Sequence, residues 1–425
     1  MGNTRCLGWI SHTCNRKDIP DFILDISLVF ALIYNSNSVW ALAKDQFSLS
    51  CFILLVTGVL YYFVLSISVK GSFQKTITPV MIVMSATLLI QLLVAFVHNG
   101  EGLLDGTWFQ YVLILPVLLG CLLIRGKEYI YKVFLSRLVY VSMVLGICGL
   151  VLWFLANFAS FPSTSTTRLM WTSGGVIESY FGLYYKVQPI TIGGLEIYRN
   201  TSFFPEAPMA AVFYGIILCM SVLFEKKRRV FVEAILIFCL LSTFSTSAYV
   251  YIIFTYMAYF LMSIDFMRSK KKIAILSFFI LLSVISFYIV FSIVSDKIKS
   301  TDSGMTHLFD FIHGMHIWGD APLCGFGFES DDYIWQNYLS AFRSGLGYTS
   351  GMLFLAIHGG LLTLLCFFVP FVLWITNPVS RTARLFSIFL LIIFLTVVVQ
   401  NSGIFIFCLS LGYANYIWGN KRTEV

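Results

Sequence analysis

The chain has 425 residues, of which 58% are hydrophobic and only 12% are charged, and it carries a formal net charge of +7 at pH 7. Because soluble domains contain about 25% charged residues, this composition excludes an ordinary soluble domain and indicates a membrane protein. The positive charge does not indicate nucleic acid as a partner, because the basic residues lie in short clusters between apolar runs and no RNA- or DNA-binding motif is present.

Hydrophobic runs of about 20 residues recur from one end of the chain to the other, and each is long enough to cross a hydrocarbon core of ~30 Å as an α-helix. The alternating pattern of a β-barrel is absent. The sequence therefore predicts an all-α polytopic membrane protein, a single integral membrane domain over residues 1–425 with about twelve transmembrane helices. The predicted spans are residues 22–42, 48–68, 76–98, 107–125, 138–160, 206–224, 230–244, 248–264, 273–294, 351–375, 383–400 and 402–418.

The segment from Phe231 to Met262 is long for one span and short for two. Its centre, Ser242 to Ser247, is a run of hydroxyl residues interrupted by one phenylalanine. Such a polar run suits a tight turn at the edge of the membrane. The pattern therefore predicts a hairpin of two helices.

The distribution of basic residues predicts the orientation. With the N-terminus inside, the inside segments hold 21 of the 28 lysines and arginines, as the positive-inside rule requires. A single span in place of the hairpin would put the cluster from Arg268 to Lys272 outside, so the charges favour the hairpin. Both termini are then cytoplasmic, and two long loops, residues 161–205 and 295–350, are extracytoplasmic.

The first long loop combines many aromatic side chains with few charges, which is typical of grooves in which sugar faces stack on rings. Glu178 and Tyr198 are candidate substrate-binding residues of such a groove. The alternative is a belt of aromatic residues at the level of the lipid headgroups. The aromatic residues concerned are Trp171, Tyr180, Phe181, Tyr184, Tyr185 and Tyr198.

The first loop ends with Arg199 and Glu206, which flank the start of the next span, and Pro208 fits the first turn of its helix. A carboxylate at a helix N-terminus is stabilised by the helix dipole, which accounts for Glu206 without a function. However, an ionisable residue at membrane depth is costly and usually has a function. Arg199 and Glu206 are therefore candidate catalytic residues.

The second long loop contains an apolar pattern with helical spacing. Phe311, Met315 and Trp318 recur at intervals that put them on one face of a helix. The segment therefore predicts a short amphipathic helix that lies on the membrane.

Polar residues of the same loop are candidates for chemistry. His313 and His316 are three residues apart and could share a helix face, but no HExxH pattern accompanies them. A polar helix face is the favoured interpretation, and neither a metal nor a cofactor is predicted. After Asp320, the GxG at Gly325 and Gly327 lacks a preceding strand and a third glycine, so a dinucleotide site is not supported.

At these residues the chain resembles the bacterial O-antigen and capsular polysaccharide polymerases (Wzy-type), which are related to the O-antigen ligases. Four segments carry the resemblance: Arg199–Pro208 (Arg, then Phe, then Glu-x-Pro), the hydroxyl-rich hairpin Leu240–Ser247, the Pro-Leu-x-Gly-x-Gly segment Pro322–Gly327, and Gly345–Leu362, which returns to the membrane. Two positions depart from the ligases. Thr246 or Ser247 stands where ligases carry Arg, and Tyr348-Thr349-Ser350 stands where they carry a His-Asn pair. These departures favour a polymerase.

The resemblance implies a membrane glycosyltransferase of the bacterial plasma (inner) membrane, with its active face extracytoplasmic. A glycan on undecaprenyl diphosphate would be the donor, and a second lipid-linked repeat unit would supply the acceptor hydroxyl. The bilayer, a chain-length regulator and a flippase of the same pathway are the other implied partners. The residues that would stabilise the leaving diphosphate are Arg199, then Arg343 and Arg168, and the candidates for the base are Glu206, His313, His316 and Asp320, with Trp318 in substrate binding.

Three other functions fit parts of the same pattern. A lipid-linked oligosaccharide flippase also suits about twelve spans, but transporters usually show an internal repeat, and none is visible in this sequence. An O-antigen ligase is disfavoured by the missing hairpin Arg and the missing His-Asn pair. A non-catalytic scaffold of a polysaccharide assembly complex has no specific support.

Overall fold

The computed structural model of this chain describes residues 19–43, 46–68, 72–99, 106–169, 175–192, 194–225, 228–263, 302–340, 348, 350–376 and 380–420. The protein is mostly helical, as the composition predicts for a helical membrane protein. The predicted span 273–294, the candidate residue Arg343 and the basic cluster from Arg268 to Lys272 lie outside the described residues.

Seven helices account for the described residues before the first long loop. They are α1 (Ile19–Tyr34), α2 (Val39–Leu42), α3 (Phe47–Ser68), α4 (Ser72–Val97), α5 (Gly106–Phe109), α6 (Leu115–Tyr129) and α7 (Leu135–Phe158), with π-helical turns at Gln110–Ile114 and Ile130–Phe134. Their apolar sequences favour helices because a helix pairs its own backbone groups without water.

A bend replaces the loop predicted between the spans 107–125 and 138–160. The chain is helical from Gly106 to Phe158, over 53 residues, and the helical geometry is interrupted at Gly126, where φ is 77° and ψ is 160°. An unbroken helix of that length would measure about 80 Å, far more than a hydrocarbon core of ~30 Å. Glycine makes the break at low cost because it has no Cβ. The loop prediction was wrong because no other residue from 127 to 137 opposes a helix.

Eight further helices follow the first long loop in the described chain. They are α8 (Ala207–Phe224), α9 (Val230–Ser242), α10 (Thr246–Ser263), α11 (Asp302–Asp320), α12 (Asp331–Ile334), α13 (Gly351–Thr376), α14 (Arg381–Thr396) and α15 (Gly403–Asn420), with a π-helical turn at Trp335–Leu339. Helix α8 lies at the centre, because it packs against α7, α9, α10 and α14 and nearly all its residues are buried.

Six helices of the described chain are long and apolar enough to cross a membrane, by length and composition. They are Phe47–Ile67, Gln74–Val97, Gly106–Phe158, Ala207–Phe224, Thr246–Ser263 and Gly351–Thr376. Two shorter apolar helices, Val230–Ser242 and Gly403–Gly419, accompany them. These helices support a membrane-embedded protein, and the number of twelve spans stays a prediction.

The hydroxyl-rich segment forms the turn that the sequence predicts. Helices α9 and α10 are separate and joined through Thr243, Phe244 and Ser245. Phe244 has a φ of 47°, in the left-handed region, and the Thr243 hydroxyl accepts a hydrogen bond from the Ser245 amide at 3.2 Å. The chain therefore reverses here through a tight polar turn rather than continuing as one helix.

The first long loop folds into short β-strands, which the all-α prediction does not include. Three strands form an antiparallel sheet in the order β1 (Ser165–Arg168), β2 (Val176–Tyr180) and β3 (Tyr184–Lys186), and β4 (Pro189–Ile192) pairs with β5 (Leu195–Tyr198). Gly182 and Gly194 make the turns after β2 and β4 with positive φ values of 68° and 84°. Strands of three to five residues are too short for their alternating pattern to stand out in a sequence.

Ion pairs join the helix ends that the charge pattern predicts to be cytoplasmic. Asp25 of α1 is fully buried and pairs with Arg137 at 2.5 Å and with Arg125 at 3.5 Å. The hydroxyls of Tyr61 and Tyr129 donate to the same carboxylate at 2.6 and 2.8 Å. Two charges and two hydroxyls thus compensate the cost of burying one carboxylate.

A second set of ion pairs lies at the start of α9. Arg228 pairs with the buried Glu233, and Arg229 pairs with Glu225 at 2.9 Å. Arg229 also donates to the hydroxyl of Ser136, next to Arg137 of the first network, at 3.0 Å. The first turn of α7 therefore links both networks.

Candidate functional site

The end of the first loop is anchored on the hairpin turn. The Asn200 amide donates to the Ser242 carbonyl at 3.0 Å, and the Asn200 side-chain Nδ2 donates to the Ser242 hydroxyl at 2.9 Å. Asn200 Oδ1 accepts from the Ser202 amide at 2.9 Å. Asn200 is 1% exposed, so these bonds are shielded from water. Two of the four segments that carry the family resemblance are therefore in direct contact.

Arg199 stands beside this anchor as a half-buried cation. Its backbone amide donates to the Gln188 carbonyl at 2.9 Å, which fixes the start of the segment. Burial lowers the pKa of Arg199 from its ordinary value, although a guanidinium stays protonated in proteins. Within the described chain, its buried Nε has no hydrogen-bond partner. A shielded guanidinium N–H of this kind is a donor for an anionic oxygen.

Glu206 lies at the N-cap position of α8, half-buried and in an extended conformation. Among the described residues its carboxylate makes no capping hydrogen bond to the helix. The side chain of Gln188 takes that role, because its Oε1 accepts from the Ala207 amide at 3.0 Å. Gln188 thus connects the segments of Arg199 and Glu206, and both candidates lie on one folded loop.

Three of the six aromatic residues named for the first loop are core residues, which corrects both the groove and the belt interpretation for them, and Trp171 lies outside the described residues. Tyr180, Tyr184 and Tyr185 are at most 3% exposed, and Tyr180 and Tyr184 form a buried cluster with Leu152 of α7. Phe181, which is 64% exposed, points outward at the turn after β2. The rings therefore fasten the sheet onto α7.

A cluster around Lys186 joins two of the predicted substrate-binding residues. Its Nζ lies 3.4 Å from Glu178 Oε2 and 4.6 Å from the centre of the Tyr198 ring. Tyr180 donates to Glu178 at 3.0 Å, and burial together with this bond raises the pKa of Tyr180 to about 12. The exposed Arg168 pairs with Val176 in register, which puts it on the Glu178 side of the sheet.

Helix α11 confirms the predicted helix of the second loop and is longer than the predicted segment. Phe311 and Met315 are 52% and 39% exposed, and Trp318 is half-buried, with its Nε1 donating to the Pro322 carbonyl at 3.0 Å. Gly314 and Ile317 face α13 instead. The apolar outer stripe is thus present, and its position on the membrane stays a prediction.

The remaining candidates of this loop lie in different surroundings. The His313 ring stacks on Phe309 at 3.9 Å, while His316 is exposed. Asp320 accepts a hydrogen bond from the Tyr338 hydroxyl at 2.8 Å. Burial and this bond raise the pKa of Tyr338 to about 12, so that it remains a neutral donor. Asp320 thereby ties the end of α11 to the turn after α12.

The segment Pro322–Gly327 is bonded to a break in α13. The amides of Phe326 and Gly327 donate to the carbonyls of Ile357 and His358, both at 2.8 Å. In return, the Pro322 and Leu323 carbonyls accept from the amides of residues 361 and 362 at 2.9 and 3.2 Å. Gly360, with φ 64° and ψ −164°, makes the break. The two remaining resemblance segments therefore meet as well, through four backbone bonds.

His358 lies at this break and was not a candidate in the sequence. It is fully buried, and its Nδ1 lies 2.9 Å from the Gly327 carbonyl oxygen. Its Nε2 lies 3.1 Å from the Tyr348 hydroxyl and 3.3 Å from Asp331 Oδ1. The sequence signal that could have found it is a histidine followed by two glycines inside a predicted span. An ionisable group at membrane depth indicates a function, and the glycines indicate a break in the helix.

No model of a known protein family matches the chain, and no curated protein is similar to it. Two groups of polar side chains in the described chain contain candidate residues. One group contains Arg199 and Glu206 beside the hairpin, and another contains His358, Asp331 and Tyr348 at the break in α13.

Proposed function

We propose that the protein is a polysaccharide polymerase, which transfers a growing glycan from undecaprenyl diphosphate onto a lipid-linked repeat unit. The observation that carries the proposal is the pairwise contact of the four resemblance segments. Asn200 bonds to Ser242, and Pro322–Gly327 bonds to the break at Gly360. Segments that act together must meet in the fold, and the residues bonded between these segments are more than 30 positions apart in the chain.

The chemistry of the proposal assigns a role to the shielded cation. The acceptor hydroxyl oxygen forms a bond to the anomeric carbon of the donor glycan, and the bond from that carbon to the diphosphate oxygen breaks. The diphosphate leaves with the electron pair, and its charge needs donors that are already oriented. Arg199 offers such a donor because its Nε is shielded from water and has no partner in the described chain. Glu206 lies on the same loop, where it would orient the incoming sugar.

The reaction belongs at the outer face of the bacterial plasma (inner) membrane, where the two long loops are predicted to lie. The lipid carriers of both substrates are in the bilayer, and the apolar helices suit a protein embedded beside them. The flippase that delivers repeat units and a regulator of chain length are the partners that such a reaction requires in a cell.

The direct test reconstitutes the purified protein in liposomes with polyprenyl-diphosphate-linked repeat units. A ladder of longer glycans on the lipid carrier is the expected product. Movement of intact repeat units across the bilayer without elongation would establish a flippase instead. Transfer only to a separate, non-repeat acceptor would establish a ligase. In cells, deletion of the gene should leave single repeat units at the outer face.

Variants of the shielded cation test the site within this assay. Arg199→Ala should lower the transfer rate by about 100-fold or more, because an oriented donor to developing charge contributes that much. Arg199→Lys keeps the positive charge but loses the planar guanidinium with its several N–H donors, so it should retain part of the activity. Glu196→Gln, at an exposed carboxylate of β5 in the same loop, is the control and should stay within a few-fold of the wild type. Normal elongation by Arg199→Ala would refute the assignment of this residue.

A further inference from the structure

Three polar side chains from separate segments meet at the break in α13, and the function proposed above gives them no task. They are Asp331 in the first turn of α12, Tyr348 before α13, and His358 within α13. We propose that Asp331 is the residue that accepts the proton of the acceptor hydroxyl, and that His358 is a positioning residue that holds Asp331 and shares the accepted proton. This inference rests on the proposed glycan transfer.

The hydrogen bonds around His358 decide which ring nitrogen carries a proton. A carbonyl oxygen only accepts, so the contact of Nδ1 with the Gly327 carbonyl at 2.9 Å requires a proton on Nδ1. The Ser330 hydroxyl, at 3.4 Å from the same nitrogen, donates its own proton to the Gly327 carbonyl at 2.6 Å. Nε2 is therefore the nitrogen that gains or loses a proton, and it faces both a hydrogen-bond donor and an acceptor.

Among the described residues, two groups face Nε2, namely the Tyr348 hydroxyl at 3.1 Å and Asp331 Oδ1 at 3.3 Å. A neutral ring accepts a hydrogen bond from Tyr348. A protonated ring donates to Asp331. A proton taken up by the carboxylate can therefore pass to Nε2, and the Asp331–His358 pair holds one proton between them.

Exposure decides which member of the pair can touch a substrate. The His358 side chain is 0% exposed, whereas the Asp331 side chain is 54% exposed. The rings of Phe328 and Phe354 cover the imidazole, with centroids at 5.9 and 4.6 Å. An acceptor sugar can reach Asp331 but not His358, which inverts the arrangement in which a buried carboxylate orients an exposed histidine.

The pair also suits the chemistry better than a carboxylate alone. A free aspartic acid has a pKa of about 3.9 and a free imidazole one of about 6.5. A base works best when its affinity for protons matches the operating pH, and the imidazole Nε2, 3.3 Å from the carboxylate, gives the accepted proton a second site. In the transfer, the hydroxyl proton goes to Asp331 as the new C–O bond forms and is shared with His358. It leaves to water through Asp331, because the Asp331 side chain is exposed and the His358 side chain is not. The diphosphate leaves with the electron pair of the broken bond.

The backbone explains why this pair is held in place. Gly325 has a φ of 64°, and a Cβ there would lie 2.5 Å from the Ile357 carbonyl oxygen. Only glycine therefore lets the loop approach α13 closely enough for Gly327 to reach the imidazole. On the other side, the His98 ring lies against Gly327 and its Nε2 contacts the Cys324 carbonyl at 3.3 Å. The loop is thus clamped between α4 and α13.

The test measures the rate of elongation against pH in the liposome assay, for the wild type, Asp331→Asn, His358→Gln and the control Asp332→Asn. Asp331→Asn should lower kcat by about 100-fold or more, as expected for loss of a general base, with KM changed little. His358→Gln should lower kcat less and move the acidic limb of the pH profile to lower pH. Asp332→Asn, which changes the adjacent exposed carboxylate, should behave as the wild type.

The outcomes separate this inference from the proposed function. Polymer made by the wild type together with full activity of Asp331→Asn would overturn the inference and leave the function standing. A His358→Gln variant with lower activity but an unmoved pH profile would overturn the shared proton. If His358→Gln does not fold, Asp331→Asn still decides, because its site is exposed. If the wild type makes no polymer, the proposed function fails and the inference falls with it.

Discussion

The break at Gly360 offers a quantitative test of the fold around the site, through the substitution Gly360→Ala. With φ at 64° and ψ at −164°, Gly360 occupies a region that essentially only glycine adopts. An added Cβ would collide with the Leu323 carbonyl group and lie 2.5 Å from the Cys324 amide nitrogen. These are backbone atoms of the loop bonded to α13, so a side-chain rotation cannot relieve the clash.

The expected cost follows from two contributions. Holding alanine in this conformation costs about 1–3 kcal/mol. Because the clash also pushes the loop away from the added Cβ, the bonds from the amides of Leu361 and Leu362 are lost as well, at about 1 kcal/mol each. Gly360→Ala should therefore lower the free energy of unfolding by about 3–5 kcal/mol, which is a large part of the 5–15 kcal/mol typical of a folded domain.

The assay is denaturant unfolding in detergent micelles, with Gly319→Ala as the matched control. Gly319 lies near the end of α11 with open space around the Cβ position, and alanine is the better helix former by about 1 kcal/mol. The control should therefore unfold at the same denaturant concentration or a higher one. A Gly360→Ala protein as stable as the wild type would refute the close approach of the loop to α13.

Two further substitutions test the polar anchors. Asp25→Asn should lower the free energy of unfolding by about 3–5 kcal/mol because it removes the charge of the buried carboxylate that pairs with Arg137 and Arg125. Asp21→Asn, at a 42% exposed carboxylate, should cost at most about 1 kcal/mol. Equal unfolding midpoints for both variants would contradict the buried network. Asn200→Ala removes the side-chain bonds to Ser242 and Ser202. We expect it to lower the free energy of unfolding by about 1–3 kcal/mol and to slow elongation. A variant with the stability and the elongation rate of the wild type would contradict the anchoring of the first loop on the hairpin.

The sequence predicts the helical hairpin well because two independent signals coincide there. The hydroxyl run at Ser242 to Ser247 interrupts the apolar pattern, and the basic clusters on either side require an even number of crossings. The structure has α9 and α10 at this place with a turn between them. Local polarity and charge can be read directly from a sequence, and a hairpin that depends on them can therefore be predicted.

The strands of the first loop show the opposite case. Tyr180 and Tyr184 read as exposed groove or belt residues, because nothing local says that α7 lies beneath them. Their burial in a cluster with Leu152 depends on the docking of a small sheet onto a helix. Contacts of that kind join residues that are distant in the chain, and the hydrophobic periodicity of the sequence does not reveal them.

His358 was missed for a related reason. In the sequence it is one histidine in a long apolar run, which is the usual appearance of a core residue. Its partners Asp331 and Gly327 lie about 30 residues earlier, and the bonds that bring them close depend on Gly325 and Gly360. The two glycines were visible in the sequence, but the approach that they allow is a property of the fold.

The paired arginines near Asp25 and Glu233 have a consequence for how the protein reaches its membrane. Basic residues govern the direction of insertion while acidic residues contribute little. Arg125, Arg137, Arg228 and Arg229 can therefore direct insertion as free charges and be neutralised only later, when their helices pack. The same four side chains would then first set the orientation in the membrane and afterwards hold helices together through ion pairs. Because these charges are paired, the folded protein would attract anionic lipids at its predicted cytoplasmic face less than its sequence suggests.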